Sequence, residues 1–595
     1  MKAPFNPFRL TSKPRWLFGL IEKMLSLDGL AAKYDARPNR GAAVPADHVD
    51  EFLQYTLQTL NGCMVVNNST ALANIPESGP VIFVANHPLG GLEGVAMSQL
   101  LRRQRSDLKV LTNEILTRIP EFANIFIGVD VLSRDATEKN MRGMRQVMKH
   151  LKQGGALLVY PAGMVSAFNT RSGKIEDRPW SSVAGKLAKQ FKATCVPFYV
   201  HGRNSQWFYL AGLFHPRLRT ALLPRQLANT ARRSASLTVG SPINWIDIEP
   251  LKDTDAITTY LRTACELLSQ AQAKTTHSVT PLPALAVAPR SPDQQQRLDA
   301  DLRRLVKFRL LEYKHFAVYC APYRELRSLM PEIAFSRERT FRTVGEGTGQ
   351  TLDSDQFDPH YLHLFAWDHQ RSVIVGGYRL GKTDEIVRTK GVEGLYSRSL
   401  YQFDQSYINR FGHALEVGRS FVTPEYQRHP RALDLLWRGI GSWVVENPGY
   451  HTLFGCVSIS SEHSCRARAF LSDSLMQSYR AEQEYLNDVR PVVPLKVRGR
   501  VWGDEVLSSL SNITLINKLL GQCDPGKSVP ILLRHYLALN GRIVGFSVNR
   551  NFNESLDGLI VVDLRKTPTK YLQRYLGKTG SRNFAKRWSL DNAAA

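Results

Sequence analysis

The sequence predicts an α/β protein built as two domains, and three observations carry that prediction. The chain has 595 residues, more than one hydrophobic core holds, so two or more domains are expected. From Asp47 to about Gln270 short apolar runs alternate with stretches of helical spacing, the pattern of an α/β domain. Residues 271–298 have the Thr, Pro, Ala and Ser composition of a linker, and a new α/β pattern begins near Leu302. The boundaries follow as 1–45 for an amphipathic membrane-contact segment, 46–270 for the first domain, 271–298 for the linker and 299–595 for the second domain. No internal repeat relates the halves.

In chain order, the stretch from Arg15 to Leu30 sets apolar positions at helical spacing beside lysine and arginine. Such a helix lies in a membrane interface with Trp16 and Phe18 down, or packs on the domain. Val81–Ala85, bounded by Gly79-Pro80 and Pro88, reads as a buried strand, and Gly91 to Arg103 as the helix after it. Leu108–Leu111, Ala156–Tyr160 and Thr194–Val200 read as further strands. Trp207 to Phe214, followed by Arg217 and Arg219, is an apolar patch beside a basic one, suited to touch a bilayer or to line an acyl-chain tunnel. In the second half, Ala414 to Val422 reads as a strand, where Glu416 and Arg419 face opposite sides unless a bulge intervenes. Gly418 sits where a bulge can form, so a bulged strand turning both toward one cleft is expected. Two more strands are expected around Leu539–Phe546 and Leu559–Leu564.

Composition narrows the function classes. Hydrophobic residues make up 43% of the chain with no run of 18 or more, which argues against a membrane-spanning helix. No secretory signal is recognisable at the start. The seven cysteines form no CxxC pair or framework, so free thiols in a reducing cytosol and no structural zinc are expected. A formal net charge of +24 calls for anionic partners. No nucleic-acid-binding motif accompanies it, so an anionic membrane surface or an acidic carrier protein fits better than nucleic acid. The expected location is the cytoplasm, peripherally on the inner membrane.

The most informative stretch is Val81-Ile-Phe-Val-Ala-Asn86-His87-Pro-Leu-Gly-Gly-Leu-Glu93-Gly94. It puts a histidine at a strand exit and a carboxylate on the first turn of the next helix. A histidine oriented by a carboxylate can take a proton from a hydroxyl or amine as it attacks a carbonyl. This stretch resembles the first block of the glycerolphosphate and lysophospholipid acyltransferases. Gly128 to Arg134, Val159 to Ser166 and Cys195 to Val200 resemble the second, third and fourth blocks, in order. The resemblance implies that His87 is the general base, oriented by Glu93, for acyl transfer to a hydroxyl. It implies that Arg134 binds an anionic group, and that Asn86, Gly163 and Ser166 line the acceptor, with backbone N–H groups near Gly163 facing acceptor or oxyanion. Five residues separate His87 from Glu93, one more than the family's usual spacing. Ala162 stands where glutamate is common, which points to an acceptor other than glycerol phosphate.

The second half carries Arg337-Glu-Arg-Thr-Phe341, Asp355-Gln-Phe-Asp358, Gly376-Gly-Tyr-Arg379 and Leu415-Glu416-Val-Gly418-Arg419. These resemble the acyl-homoserine-lactone synthases and, more closely in layout, the ornithine N-acyltransferases, both GNAT-like. The resemblance makes Arg337, Phe341, Asp355, Asp358, Arg379, Glu416 and Arg419 the site. Glu416 would help deprotonate the incoming ammonium, and the arginines would grip carboxylate or phosphate. The stretch from Gln427 to Leu433 lacks the glycine-rich cradle that a coenzyme A pyrophosphate needs. That favours acyl carrier protein, with its phosphopantetheine, as donor; no permanently bound cofactor and no metal are expected. Together the halves resemble the bifunctional ornithine lipid synthases. That implies N-acylation of ornithine with a 3-hydroxyacyl group by the second half, then O-acylation of the lyso-ornithine lipid by the first. Glycine or lysine as acceptor, or one active half beside a scaffold, are the alternatives.

Overall fold

The computed structural model describes residues 6–9, 15–38, 49–129, 137–229, 235–270, 282–497 and 499–590. The chain divides into two compact units, 1–274 together with 501–526, and 275–500 together with 527–595.

The first unit is organised by a seven-stranded sheet. Its strands are β1 (Met64–Val66), β2 (Val81–Ala85), β3 (Lys109–Asn113), β4 (Phe126–Val129), β5 (Ala156–Val159), β8 (Thr194–His201) and β9 (Ala235–Val239), and β6 (Ala167–Asn169) with β7 (Lys174–Glu176) forms a separate hairpin. The order is β1-β9-β8-β2-β5-β3-β4. β2 takes the middle position, parallel to β5 and β8, and only the β8–β9 pair is antiparallel. Every residue of β2 is buried, as a β-branched and aromatic run covered on both sheet faces should be. Helix Gly91–Arg102 follows β2 at once, its buried Leu92, Met97 and Leu101 joining Phe83, Leu158 and Phe198 in the core. The end of β2 is thus the carboxyl end of a central parallel strand, where open α/β sheets place their ligands.

The second unit contains β10 (Arg309–Tyr313), β11 (Phe316–Pro322), β12 (Leu362–Asp368), β13 (Val373–Lys382), β15 (Ala414–Val422), β16 (Thr452–Ile459), β18 (Arg542–Asn549) and β19 (Ser555–Asp563) in one sheet, with β14 (Tyr401–Gln402) and β17 (Arg490–Pro491) paired apart. The sheet order is β10-β11-β12-β13-β15-β16-β19-β18. Its one parallel contact is β15 with β16, and that pairing stops at Glu416 opposite Phe454 although both strands continue. The two strands part there and leave a cleft within the sheet. The expected bulge is present: Gly377 pairs Phe421 while Arg379 pairs Gly418, so β15 carries one extra residue. The left-handed residue is Arg419, at φ 48°, rather than Gly418.

The structure corrects two boundaries. Residues 501–526 belong to the first unit and not to a domain running unbroken from 299 to 595. Helix Ile513–Cys523 buries Leu515, Ile516, Leu519 and Leu520. Tyr260 donates to the Leu515 carbonyl at 3.0 Å, and Gln522 exchanges two hydrogen bonds with the Ser241 backbone. Burying that apolar face decides its partner, and sequence adjacency does not. The linker is also shorter than 271–298. Arg342 donates to the Pro283 carbonyl at 2.8 Å, Arg290 pairs with Glu332, and a helix begins at Pro292 behind a Ser291–Gln294 capping box. Residues 271–281 lie outside the described residues. Near the start, helix Arg15–Met24 exposes Trp16, Leu20 and Met24, while the next helix, Leu27–Asp35, buries Leu30, Ala31 and Tyr34.

Candidate functional site

At the exit of β2 the first unit assembles a compact proton-handling site. His87 Nδ1 lies 2.9 Å from Glu93 Oε1, at an angle bent away from a straight hydrogen bond. Glu93 is fully buried, and its Oε1 accepts from the backbone N–H groups of Leu89 (2.9 Å) and Gly90 (2.8 Å). Those amides fix the carboxylate at the first helical turn, where the helix dipole favours negative charge. Gly90, in the turn between histidine and acid, takes a φ of 94° that suits glycine. Burial opposes protonation of the imidazole, but Glu93, with Asp177 beyond it, outweighs that and raises the His87 pKa above the usual imidazole value. The Tyr160 ring packs on the His87 ring at 4.5 Å between centroids.

The other predicted residues sit around this pair in different capacities. Asn86 is buried with its amide bonded to the Val200 backbone, donating at 3.0 Å and accepting at 2.7 Å, so it ties β2 to β8. Ser166 donates through Oγ to Asp177 at 2.5 Å, and its N–H bonds the His87 carbonyl. The Gly163 N–H is used by the Tyr160 carbonyl at 3.0 Å, which removes it as an oxyanion donor. Arg134 lies outside the described residues. Sequence reading missed Asp177, which also accepts from the His87 N–H at 3.3 Å and from Trp180 at 3.2 Å. It missed Asn204 as well, whose side chain pins the Pro88 carbonyl at 3.0 Å. Neither carries a local signal, because each acts from a loop distant in sequence.

In the second unit the predicted arginines and aspartates do come together, as a neutral ion network. Arg337 grips Asp358 with two bonds of 3.0 Å and has Nε 3.3 Å from Asp353. Arg379 bonds Asp355 at 2.6 Å and Asp358 at 3.0 Å. Arg419 reaches Asp355 at 3.2 Å and Asp353 at 3.4 Å. Burial pushes the Asp355 and Asp358 carboxyls up, but the facing guanidiniums, Arg379 and Arg419 for Asp355 and Arg337 and Arg379 for Asp358, hold both below the usual range. Arg337 and Arg379 thus face internal carboxylates at 1% exposure each, while Arg337 Nε and both Nε and Nη2 of Arg379 have no hydrogen-bond partner among the described residues. Phe341 is a core residue, edge-on to Phe552 at 5.0 Å.

Glu416 is also held from within. It is 2% exposed, and its carboxylate accepts from the Tyr361 hydroxyl, the Tyr396 N–H (3.1 Å) and the Ser397 N–H (2.6 Å). With three donors on its two oxygens, the carboxylate anchors the Tyr396 turn over the cleft. The bulge does bring Arg419 to the same side, its guanidinium 5.0 Å from both the Tyr396 and Phe552 ring centres.

Where β15 and β16 part, Gly418, Arg419, Cys456 and Ser458 are half-buried, and a Cβ at Gly418 meets nothing within 4 Å. Beside this opening is an acid that the sequence reading passed over. Glu346 accepts from Ser458 Oγ at 3.0 Å and is 5% exposed. Burial, with Asp557 adding to it, raises its pKa to about 8. Asp557, held by Asn549 (2.9 Å) and Ser555 (2.8 Å), is also raised, by burial. The available signal was Gly345-Glu346-Gly347-Thr-Gly349, a carboxylate in a loop whose three glycines all take positive φ. Cys456 in the same opening is pushed well above the ordinary thiol range, first by burial and then by Asp557 and Glu416, so it is inert at neutral pH.

Residues 48–222 match a family described as acyltransferase, and residues 336–438 match an acetyltransferase (GNAT) domain. A glycine N(alpha)-acyltransferase of Bacteroides thetaiotaomicron is 27% identical over 309 residues, 48% of this chain and 89% of the relative. A lyso-glycine lipid O-acyltransferase of Phocaeicola vulgatus is 26% identical over 213 residues, 34% of this chain and 72% of the relative. The chain therefore carries an acyltransferase domain and a GNAT domain, and it is an enzyme of the acyltransferase type. Among the described residues no helix is long and apolar enough to cross a membrane.

Proposed function

We propose that the chain makes a doubly acylated amino-acid lipid in two steps, with ornithine as the acceptor. One observation carries this reading: a single chain holds two separate proton acceptors, His87 paired with Glu93 in one unit and Glu346 beside the β15–β16 opening in the other. In the second unit, Glu346 takes a proton from the α-ammonium of the amino acid, which must lose it before nitrogen has a lone pair to attack. The amine nitrogen forms a bond to the thioester carbonyl carbon, the C–S bond breaks, and the thiol leaves. In the first unit, His87 takes the proton of the new lipid's 3-hydroxyl as that oxygen bonds to the carbonyl carbon of a second acyl thioester, whose C–S bond breaks as the imidazolium gives the proton to the leaving thiolate. Glu93 steadies the imidazolium that results. Covalent fusion keeps the monoacyl intermediate at a raised local concentration for the second step.

The donor in this reading is acyl carrier protein. Supporting it are the lack of glycine from Gln427 to Leu433 and the exposed Arg428 and Arg431 at the start of helix Ala432–Glu446, which suit a single phosphate. The charge of +24 suits an acidic carrier. Ornithine is favoured over a simpler acceptor because Glu346 and Asp557 supply more buried acid than one ammonium requires. Glycine is the second reading, favoured by the names of the two relatives.

Expression in a bacterium without aminolipids, followed by lipid mass spectrometry, tests both. A new diacyl amino-acid lipid is expected, its headgroup mass naming the acceptor. No new lipid from a folded, membrane-recovered protein supplied with hydroxyacyl carrier protein would sink the proposal.

A further inference from the structure

Among the described residues, the helix that follows β8 presents an apolar face that no other side chain covers. In helix Gln206–Phe214, Phe208 and Tyr209 pack inward with Val165, Leu222 and Leu223. The opposite side leaves Trp207 78%, Leu210 44%, Leu213 50% and Phe214 85% exposed, and Leu218 on the next turn 52%. So many large apolar groups in one patch mark an interaction surface. Its charge is one-sided: residues 178–246 contain ten lysines and arginines and not one aspartate or glutamate. Arg203, Arg217 and Arg225 are exposed beside the apolar residues. Arg219, buried beneath the helix at 4% exposure, keeps Nη2 without a hydrogen-bond partner among the described residues. The positive potential is therefore not neutralised from within.

The helix is also coupled to the His87 loop. Asn204, just before the helix, donates to the Pro88 carbonyl, and its N–H bonds the Tyr209 hydroxyl at 3.0 Å. A Cβ at Gly90 would press within about 3 Å of Leu223, so helix Leu223–Ala228 sits directly on the turn that holds Glu93.

We propose that this face docks on an anionic lipid leaflet, Trp207 and Phe214 entering the interface and the arginines meeting headgroups, so that the His87 site opens beside its lipid acceptor. An aromatic and aliphatic face edged by arginine is what an interfacial helix needs. The inference rests on the proposed lipid acceptor for the purpose of the docking but not for its occurrence.

The test is flotation of the full chain with phosphatidylcholine vesicles carrying about one-third phosphatidylglycerol. Trp207→Ser with Phe214→Ser is expected to weaken partitioning about tenfold or more. Arg217→Ala and Arg225→Ala should each weaken it about fivefold at low salt, and neither should matter on pure phosphatidylcholine. Trp16→Ser with Leu20→Ser, on the other exposed apolar helix, is the comparison. If only that pair releases the protein, docking through Gln206–Phe214 is overturned. It is equally overturned if the Trp207/Phe214 pair leaves partitioning intact but abolishes self-association or carrier-protein binding. Acyl transfer to lysolipid in detergent micelles separates the two proposals: wild-type partitioning by the double variant with intact micellar activity defeats the docking alone. Normal vesicle dependence with no acyl transfer in any assay defeats the functional reading alone.

Discussion

The proton acceptors of the two units are built in opposite ways. In the first, His87 and Glu93 stand six residues apart, one at the end of β2 and the other on the first turn of the helix it feeds. In the second, Glu346 meets Ser458 of β16, Arg419 of β15 and Asp557 of β19, so each partner arrives from a different element. A local pair survives rearrangement elsewhere, because strand, turn and helix start fix it together. A dispersed site depends on the whole sheet, and the second unit surrounds it with the network of Arg337, Arg379, Arg419, Asp353, Asp355 and Asp358. Buried ions whose partners are removed are left uncompensated.

The sharpest break of this comparison is in the acceptors themselves. Replacing a general base costs roughly 10²- to 10⁴-fold in rate. His87→Ala is expected to lose O-acylation on that scale and accumulate the monoacyl lipid, whereas Glu346→Gln should lose both lipids, read by mass spectrometry of cell extracts. Accumulated monoacyl lipid in the Glu346 variant would show that another group takes the ammonium proton.

Next in size is the ion network. Asp358→Asn leaves Arg337 and Arg379 short of a buried counter-charge, and about 3–5 kcal/mol of stability should go. The acid limb has a defined sign. Asp355 and Asp358 are depressed on folding, so their contribution is present above the ordinary carboxylate range and fades as pH falls below about 4. Thermal melts of the full chain against pH measure it, and a second-unit transition flat from neutral to acid would contradict the network's weight.

Glu346 has the opposite sign. Its pKa is raised to about 8 on folding, so ionisation opposes folding as pH climbs from the carboxylate range toward that value. Glu346→Gln should therefore melt higher than wild type at about pH 9 while being less active, a pairing that simple misfolding does not produce. In the same profile, N-acylation by the wild type should rise with pH through about 8. Glu416→Gln should lower the rate by loosening the Tyr396 turn yet keep that limb, since the Glu416 carboxylate holds that turn through two backbone N–H groups.

The smallest expected effect sharpens the first unit. Glu93→Gln keeps an oxygen for the Leu89 and Gly90 amides but removes the charge that raises His87. The O-acylation limb should move to lower pH, with a rate loss nearer tenfold than a thousandfold. An unmoved limb would mean that Asp177 sets the imidazole's basicity.

Much of this was legible before any coordinates. The run Val81–Ala85 ending in His87, with glycines and Glu93 after it, fixed a strand, a turn and a helix start, because apolar periodicity and glycine freedom act over a few residues. The bulge on β15 was readable from Glu416 and Arg419 needing one side of a strand. What the sequence could not rank was availability. Arg337, Arg379 and Glu416 look like ligands in one dimension and are buried against internal partners in three, since that placement depends on residues such as Asp353 and Tyr361 that no spacing announces. Only tertiary packing also sent residues 501–526 to the first unit, because the apolar face of helix Ile513–Cys523 is buried there. Local chemistry was written in the chain, while the free or spent state of each charge was decided by what folding brought beside it.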